Sequence, residues 1–215
     1  MSLSHRLGHR LGRQLREPRG WAGRLTGLAM RVVNDECNRL AVEALAIHAT
    51  DTVLEVGCGP GHGLALAAAQ APNGRLYGVD RSAVMLEQAA ARNRGAVRSG
   101  RLVLTTGAFD ALPFADRSMD KVLAVNVAYF WDREGRVARE IRRVLRPSGT
   151  LALYVTDRAT MAHWPFAGAD THIHWDEHSL ASMLHAGGFP QATIEVWKVR
   201  LRGGVQGLVA VATTP

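Results

Sequence analysis

The 215-residue sequence predicts an α/β domain built on a mostly parallel β-sheet with helices on both faces. Three observations point there. From residue 50 onward, short runs rich in Val, Leu and Thr alternate with Ala-rich stretches of helical period. The first of those runs ends in closely spaced glycines that open a helix. The last two runs are joined by too few residues for a crossover, so they must pair as an antiparallel hairpin.

Taken in order, a helix is expected over residues 33–48, with Leu40, Ala41, Ala44, Leu45 and Ile47 apolar, packed beside the first strand. A strand follows at 52–56 and a helix at 63–71, closed by Pro72-Asn73-Gly74. The second strand is 76–80, and the helix at 82–94 has Ser82 placed as its N-cap. Strands at 102–105 and 121–126 precede a helix at 133–145. Pro147-Ser148-Gly149 turns the chain into a fifth strand, 150–156. A helix at 177–186 stops at Gly187-Gly188, and the strands at 193–200 and 207–212 complete a set of seven.

Composition narrows the function classes. Hydrophobic residues at 47% and charged residues at 21% are those of an ordinary globular domain. No apolar run is long enough for a membrane-spanning helix. Two cysteines, Cys37 and Cys58, are too few for a disulfide framework, which makes a reducing cytoplasm the expected compartment. The formal charge of +7 is uneven: residues 1–31 hold seven arginines against Glu17, whereas residues 32–215 form a nearly neutral single domain. An excess carried on an arm is not the basic face of a nucleic-acid-binding domain. Leu3, Leu7, Leu11 and Leu15 recur every four residues in this arm. Three readings stay open for it: a frayed or docked extension, a segment over the substrate cleft or against an acidic partner, or an organelle transit peptide, which Gly8 and Gly12 disfavour.

The strongest motif is Glu55-Val56-Gly57-Cys58-Gly59-Pro60-Gly61. Glycines between a strand and a helix let the backbone approach a ligand where a Cβ would collide. A dinucleotide fingerprint requires a sixth-position glycine, and that place is His62. A carboxylate ahead of the glycines favours a ligand with cationic groups and repels a pyrophosphate. That weakens a nicotinamide oxidoreductase.

From about residue 52 to 189 the chain resembles the class I S-adenosylmethionine-dependent methyltransferases, most of all the ubiquinone/menaquinone-biosynthesis-like group. The motifs that carry the resemblance, besides the loop, are Gly78-Val79-Asp80, Gly107-Ala108-Phe109-Asp110, Ser118-Met119-Asp120-Lys121-Val122 and Val144-Leu145-Arg146-Pro147-Ser148-Gly149. The resemblance implies a Rossmann-like, seven-stranded, mostly parallel sheet with an antiparallel C-terminal strand, and S-adenosylmethionine as cofactor. It places Glu55, Gly57, Cys58, Gly59 and Gly61 around the cofactor's amino-acid end. Asp80, with Arg81 beside it, falls at the ribose, Ala108 and Phe109 at the adenine, and Asn126 near the cofactor. One departure is that Ala108 replaces the acid the family commonly has there; Asp110 is two residues on.

The resemblance also implies that the methyl acceptor meets the segment Asn126-Val127-Ala128-Tyr129-Phe130-Trp131. Its Asn126 and Tyr129 are spaced as in the N-P-P-Y motif of nucleobase N-methyltransferases, but both prolines are absent, which favours a small-molecule acceptor. Tyr129 is a candidate catalytic residue, against the alternative that it only covers the sheet edge. His172 and His174 are further candidates, within a stretch holding five of the nine histidines. A metal site, a pocket-facing base and a surface loop are alternatives there; Asp176 reads as an N-cap, and no metal is expected. The function expected is transfer of a methyl group to oxygen, nitrogen or carbon of a small molecule. Its rivals are a non-catalytic cofactor-binding module acting through partners and a nucleic-acid methyltransferase.

Overall fold

A computed structural model describes residues 35–164, 167–168 and 171–215. The basic arm, and the expected helical residues 33 and 34, lie outside the described residues. In chain order the elements are α1 (Asp35–Leu45), β1 (Thr52–Val56), α2 (His62–Gln70), β2 (Arg75–Asp80), α3 (Ala83–Arg92), α4 (Arg94–Arg98) and β3 (Leu102–Thr106). There follow β4 (Met119–Val125), α5 (Arg136–Val144), β5 (Leu145–Thr156), α6 (Arg158–Met161), α7 (Glu177–Ala186), β6 (Ile194–Arg200) and β7 (Gln206–Thr213).

The seven strands form one sheet in the order β3-β2-β1-β4-β5-β7-β6. Neighbours from β3 through β5 are parallel. β7 runs antiparallel to both β5 and β6, so the C-terminal hairpin is inserted through its second strand. The chain leaves β1 toward β2 and β3, then returns to β4 on the other side. This reversal opens a crevice beyond the carboxyl ends of β1 and β4, where open α/β sheets take their ligands.

Alternate residues of the strands feed two cores. Leu54, Val56, Val79, Leu151, Leu153 and Val155 face α5 and α7. Val53, Leu76, Leu123, Ala152 and Tyr154 face α1 and α2. Burying each such Leu or Val contributes about 1.5–3 kcal/mol.

Three local expectations need correction. α1 packs across β4 and β5 and against α2 rather than beside β1, because its buried face of Cys37, Ala41, Val42 and Leu45 meets Leu123, Ala152 and Tyr154. α5 begins at Arg136, not near 133: Gly135 is left-handed at φ +74°, and Asp132 instead accepts from the amides of Arg136 and Val137 at 2.8 and 3.3 Å. A Cβ at Gly135 would strike the Met183 carbonyl at 2.7 Å, so α5 and α7 touch only because that residue is glycine. β5 starts at Leu145, and its Pro147-Ser148-Gly149 turn is an irregularity within the strand, tied down by Thr214 through Gly149 N and Arg146 O at 3.0 and 2.6 Å. The helix expected at 177–186 is α7, closed at its start by a reciprocal Asp176–Ser179 capping box.

Candidate functional site

The loop after β1 is pinned at its start by the amides of Gly57 and Cys58, which donate to the Val79 carbonyl at 2.8 and 3.0 Å. The chain can then turn through the left-handed region at Gly57, Gly59 and Gly61, with φ of +69°, +49° and +77°. The three glycines do different jobs. A Cβ at Gly57 would lie 2.5 Å from Val127 Cγ2, and one at Gly61 would lie 2.7 Å from Asn93 Nδ2. Both are therefore required by the protein's own packing. At Gly59 a Cβ would meet nothing within 4 Å among the described residues, so of the three loop glycines this one faces open space. The Cys58 side chain turns into the α1–α2 core, and its burial beside Glu55 and Asp80 pushes the thiol pKa up. The Cys58 backbone is engaged too, its amide on the Val79 carbonyl and its carbonyl accepting from Gly61 N at 2.9 Å.

Two carboxylates flank this loop. Glu55, at the end of β1, is 3% exposed. Its carboxylate lies against Gly63 and the Asn38 side chain, where any Cβ at position 63 would intrude. The Leu64 amide donates to it, while Oε2 is buried without a hydrogen-bond partner among the described residues. Burial, with the Asp80 charge adding to it, pushes the Glu55 pKa up to about 8. Asp80, at the end of β2, accepts from Gly59 N through Oδ2 at 2.9 Å and from Ser82 N through Oδ1 at 2.8 Å. The Arg81 amide faces this carboxylate as well, which still keeps lone-pair capacity for a ligand hydroxyl. Burial raises the Asp80 pKa as well.

Past Asp80, the Arg81 guanidinium lies 5.2 Å from the centroid of the Phe109 ring. These two residues line a cavity of about 310 Å³ with Asp110, Phe130, Trp131, Asp132, Arg136 and Val137. Asp110 thus reaches a wall that Ala108, bridged to Ala111 in a tight turn, does not supply. Trp131 is buried, and its indole Nε1 has no hydrogen-bond partner among the described residues. Trp131, already a pocket candidate in the sequence, lines this wall, whereas sequence reasoning missed Asp132 and Arg136, the latter brought there by α5 only through tertiary packing.

Beyond β4, Asn126 adopts φ +54°, a left-handed conformation for a non-glycine residue. Its Oδ1 accepts from the Tyr129 hydroxyl at 2.7 Å, and that hydroxyl in turn accepts from Thr156 N at 2.5 Å. Burial pushes the Tyr129 pKa up. With both its donor and its acceptor engaged inside the protein, Tyr129 is held as a neutral phenol. His172 is buried, packs 5.0 Å from the Phe130 ring centroid and 5.9 Å from that of Tyr129, and pairs through Nδ1 with Thr171 Oγ1 at 2.8 Å. His174 Nε2 meets the Ala167 carbonyl at 2.6 Å. His178 is exposed on α7. Among the described residues, no three His, Cys, Asp or Glu side chains gather closely enough to hold a metal.

The fold and this loop match known proteins. The family model described as "Methyltransferase domain" matches residues 54–153, spanning β1 to most of β5. An uncharacterised methyltransferase of Bacillus subtilis, YdaC, is 30% identical over 134 residues, which cover 62% of this chain and 72% of the relative. The chain belongs to the class I S-adenosylmethionine-dependent methyltransferases. The malonyl-[acyl-carrier protein] O-methyltransferase of Methylococcus capsulatus is 32% identical over 155 residues, 69% of this chain and 55% of that enzyme. The chain therefore spans only about half of that longer methyltransferase. In fold, a chain of the Haloferax volcanii complex between the Trm112 methyltransferase activator and a methyltransferase superposes with a TM-score of 0.77 at 21% identity, covering 91% of this chain and 96% of that one.

The cofactor of the family is S-adenosylmethionine, and the residues fit it chemically. A buried carboxylate oxygen lacking a partner suits a ligand that brings cationic groups. The open side of Gly59 gives the backbone a face without side chains. Among the described residues of this methyltransferase, no helix is long and apolar enough to cross a membrane.

Proposed function

We propose that this methyltransferase holds S-adenosylmethionine across the crevice between β1, β2 and β4 and passes its methyl group to a small-molecule acceptor through oxygen, nitrogen or carbon. The observation that carries the reading is the pair of carboxylates, Glu55 and Asp80, on either side of a glycine whose outer face is open. When bound, the cofactor supplies an electrophilic methyl on a sulfonium. The protein's part is to bind, orient and exclude water. Glu55 faces the cationic amino-acid end, where an arriving positive charge draws its carboxyl toward the ionised form. Asp80 accepts from the ribose hydroxyls through its remaining lone pairs. The Arg81–Phe109 pair and Asp110 line the adenine seat, with Asp110 taking the role of the acid absent at Ala108.

Methyl transfer from a sulfonium needs a nucleophile held about 3–3.5 Å from the carbon and in line with the leaving sulfur. Positioning therefore carries most of the chemistry. This agrees with a post-β4 segment whose phenol is already engaged within the protein. A small acceptor is supported by the missing prolines after Asn126 and by the acyl group named for the Methylococcus relative. We place residues 32–215 in one catalytic domain. The basic arm is proposed to meet the acceptor cleft or an acidic partner.

Calorimetry tests the cofactor directly. S-adenosylmethionine and S-adenosylhomocysteine should bind with one-to-one stoichiometry, and NAD should not. Tight NAD binding without S-adenosylmethionine binding would end this reading.

A further inference from the structure

Tyr129 stands out as a buried titratable side chain that the proposed reaction does not use. Its hydroxyl accepts the Thr156 amide and donates its one proton to Asn126 Oδ1, 2.7 Å away, with the Thr156 side chain also beside it. This fixes the amide of Asn126 in one of its two flips. The oxygen is turned to Tyr129, and Nδ2 is turned to the opposite side, where the Cys37 thiol of α1 faces the Asn126 side chain.

Asn126 is also one of only four non-glycine residues with positive φ among the described residues. Asparagine tolerates this conformation better than most side chains, and it persists where the surroundings enforce it. Its amide nitrogen donates to the Tyr154 carbonyl at 2.9 Å, and its side chain is anchored on Tyr129. The turn made there aims the next residue, Val127, at the glycine loop, so closely that Gly57 admits no side chain. The Tyr129 hydroxyl thus connects, through one strained residue, to the loop that faces the cofactor.

We infer that Tyr129 is a positioning residue rather than a catalytic base: its hydroxyl sets the flip of the Asn126 amide and holds the turn that seats Val127 under Gly57, so that cofactor affinity depends on a phenol that never touches the cofactor. The inference rests on the proposed seat of the cofactor in the crevice between β1, β2 and β4, which Asn126 directly follows.

The test is a double-mutant cycle read by calorimetry with S-adenosylmethionine, with melting temperature followed in parallel. Asn126→Ala and Tyr129→Phe should each weaken binding about five-fold, and the double variant should bind no more weakly than Asn126→Ala. A purely structural role for Tyr129 would lower the melting temperature and leave affinity in place. Multiplying losses, to about 25-fold in the double variant, would overturn the inference, as would an unchanged affinity in Tyr129→Phe. Should Tyr129→Phe fail to fold, the wild-type protein decides: the side-chain amide signals of Asn126 in an NMR titration must shift on saturation with S-adenosylmethionine, and signals that stay still refute the inference. Absence of any S-adenosylmethionine binding by wild type is a different failure, which removes the cofactor reading beneath it.

Discussion

Glu55→Gln should stabilise the ligand-free protein in alkaline solution while weakening its hold on the cofactor. Glu55 is almost fully buried, one of its oxygens has no partner among the described residues, and burial pushes its pKa up to about 8 from an ordinary value of 4.5. The folded state therefore keeps a proton that the unfolded chain gives up. Between those two values the folded form binds more protons, so stability must fall as pH rises from about 4.5 to 8 and level off above. At 1.36 kcal/mol per unit, full ionisation costs up to about 5 kcal/mol. Glutamine keeps the shape and cannot ionise. Urea unfolding without ligand should give two proteins within about 1 kcal/mol of each other at pH 5, diverging in favour of Glu55→Gln by several kcal/mol, up to about 5, at pH 8.5. Every other titrating group is common to both, so the difference isolates this carboxyl. Cofactor binding should reverse the ranking. The wild type should release a proton on taking up S-adenosylmethionine near pH 7, visible as a dependence of the calorimetric heat on buffer ionisation, and Glu55→Gln should not. Parallel stability curves for the two proteins across this range would refute the reasoning.

Four other substitutions probe the same site and the scaffold. Asp80→Ala should weaken S-adenosylmethionine binding by about 1.5–3 kcal/mol in calorimetry, the range for hydrogen bonds to a charged group; unchanged affinity would mean that the ribose lies elsewhere. Gly59→Ala should cost about 1–2 kcal/mol of stability from its left-handed backbone yet lose most cofactor binding, whereas Gly57→Ala, forced against Val127, should lose stability first. Thermal melts and ligand titrations of the pair separate the two. Asp176→Ala should destabilise the fold by about 1 kcal/mol through loss of the α7 capping box while leaving cofactor affinity intact. Because Ser179 holds the Asp176 pKa down, that contribution is present above the ordinary carboxylate range and disappears as pH falls through the lowered value. A melting temperature insensitive to Asp176→Ala at neutral pH would contradict it.

Local chemistry made most of the fold legible. Ser82 and Asp176 cap the helices they precede, since a short oxygen side chain before an apolar helical period satisfies amides that would otherwise be orphaned. The hairpin β6–β7 followed from the length of its connection. The glycine loop and the acid ending β2 were visible because close backbone approach and a ribose-facing carboxylate each demand particular residue types. Legibility stopped where a residue's role depends on a distant neighbour. The start of α5 is decided by Asp132 and by α7 pressing on Gly135, and no window of sequence around Arg133 contains α7.

By itself the sequence determined the alternation of strands and helices, the direction of the last two strands, the Gly-rich turn and the two acids beside it, because each is a property of a few adjacent residues. Tertiary structure alone decided which glycine faces open space and which ones merely make room for Val127 and Asn93, how far Glu55 is removed from water, and that Asp110, Trp131 and Arg136 share a wall. It also decided that the Tyr129 phenol is committed to Asn126 and Thr156. Desolvation and hydrogen-bond commitment are set by what packs against a group from elsewhere in the chain, and they govern whether a carboxyl is charged or a hydroxyl is available.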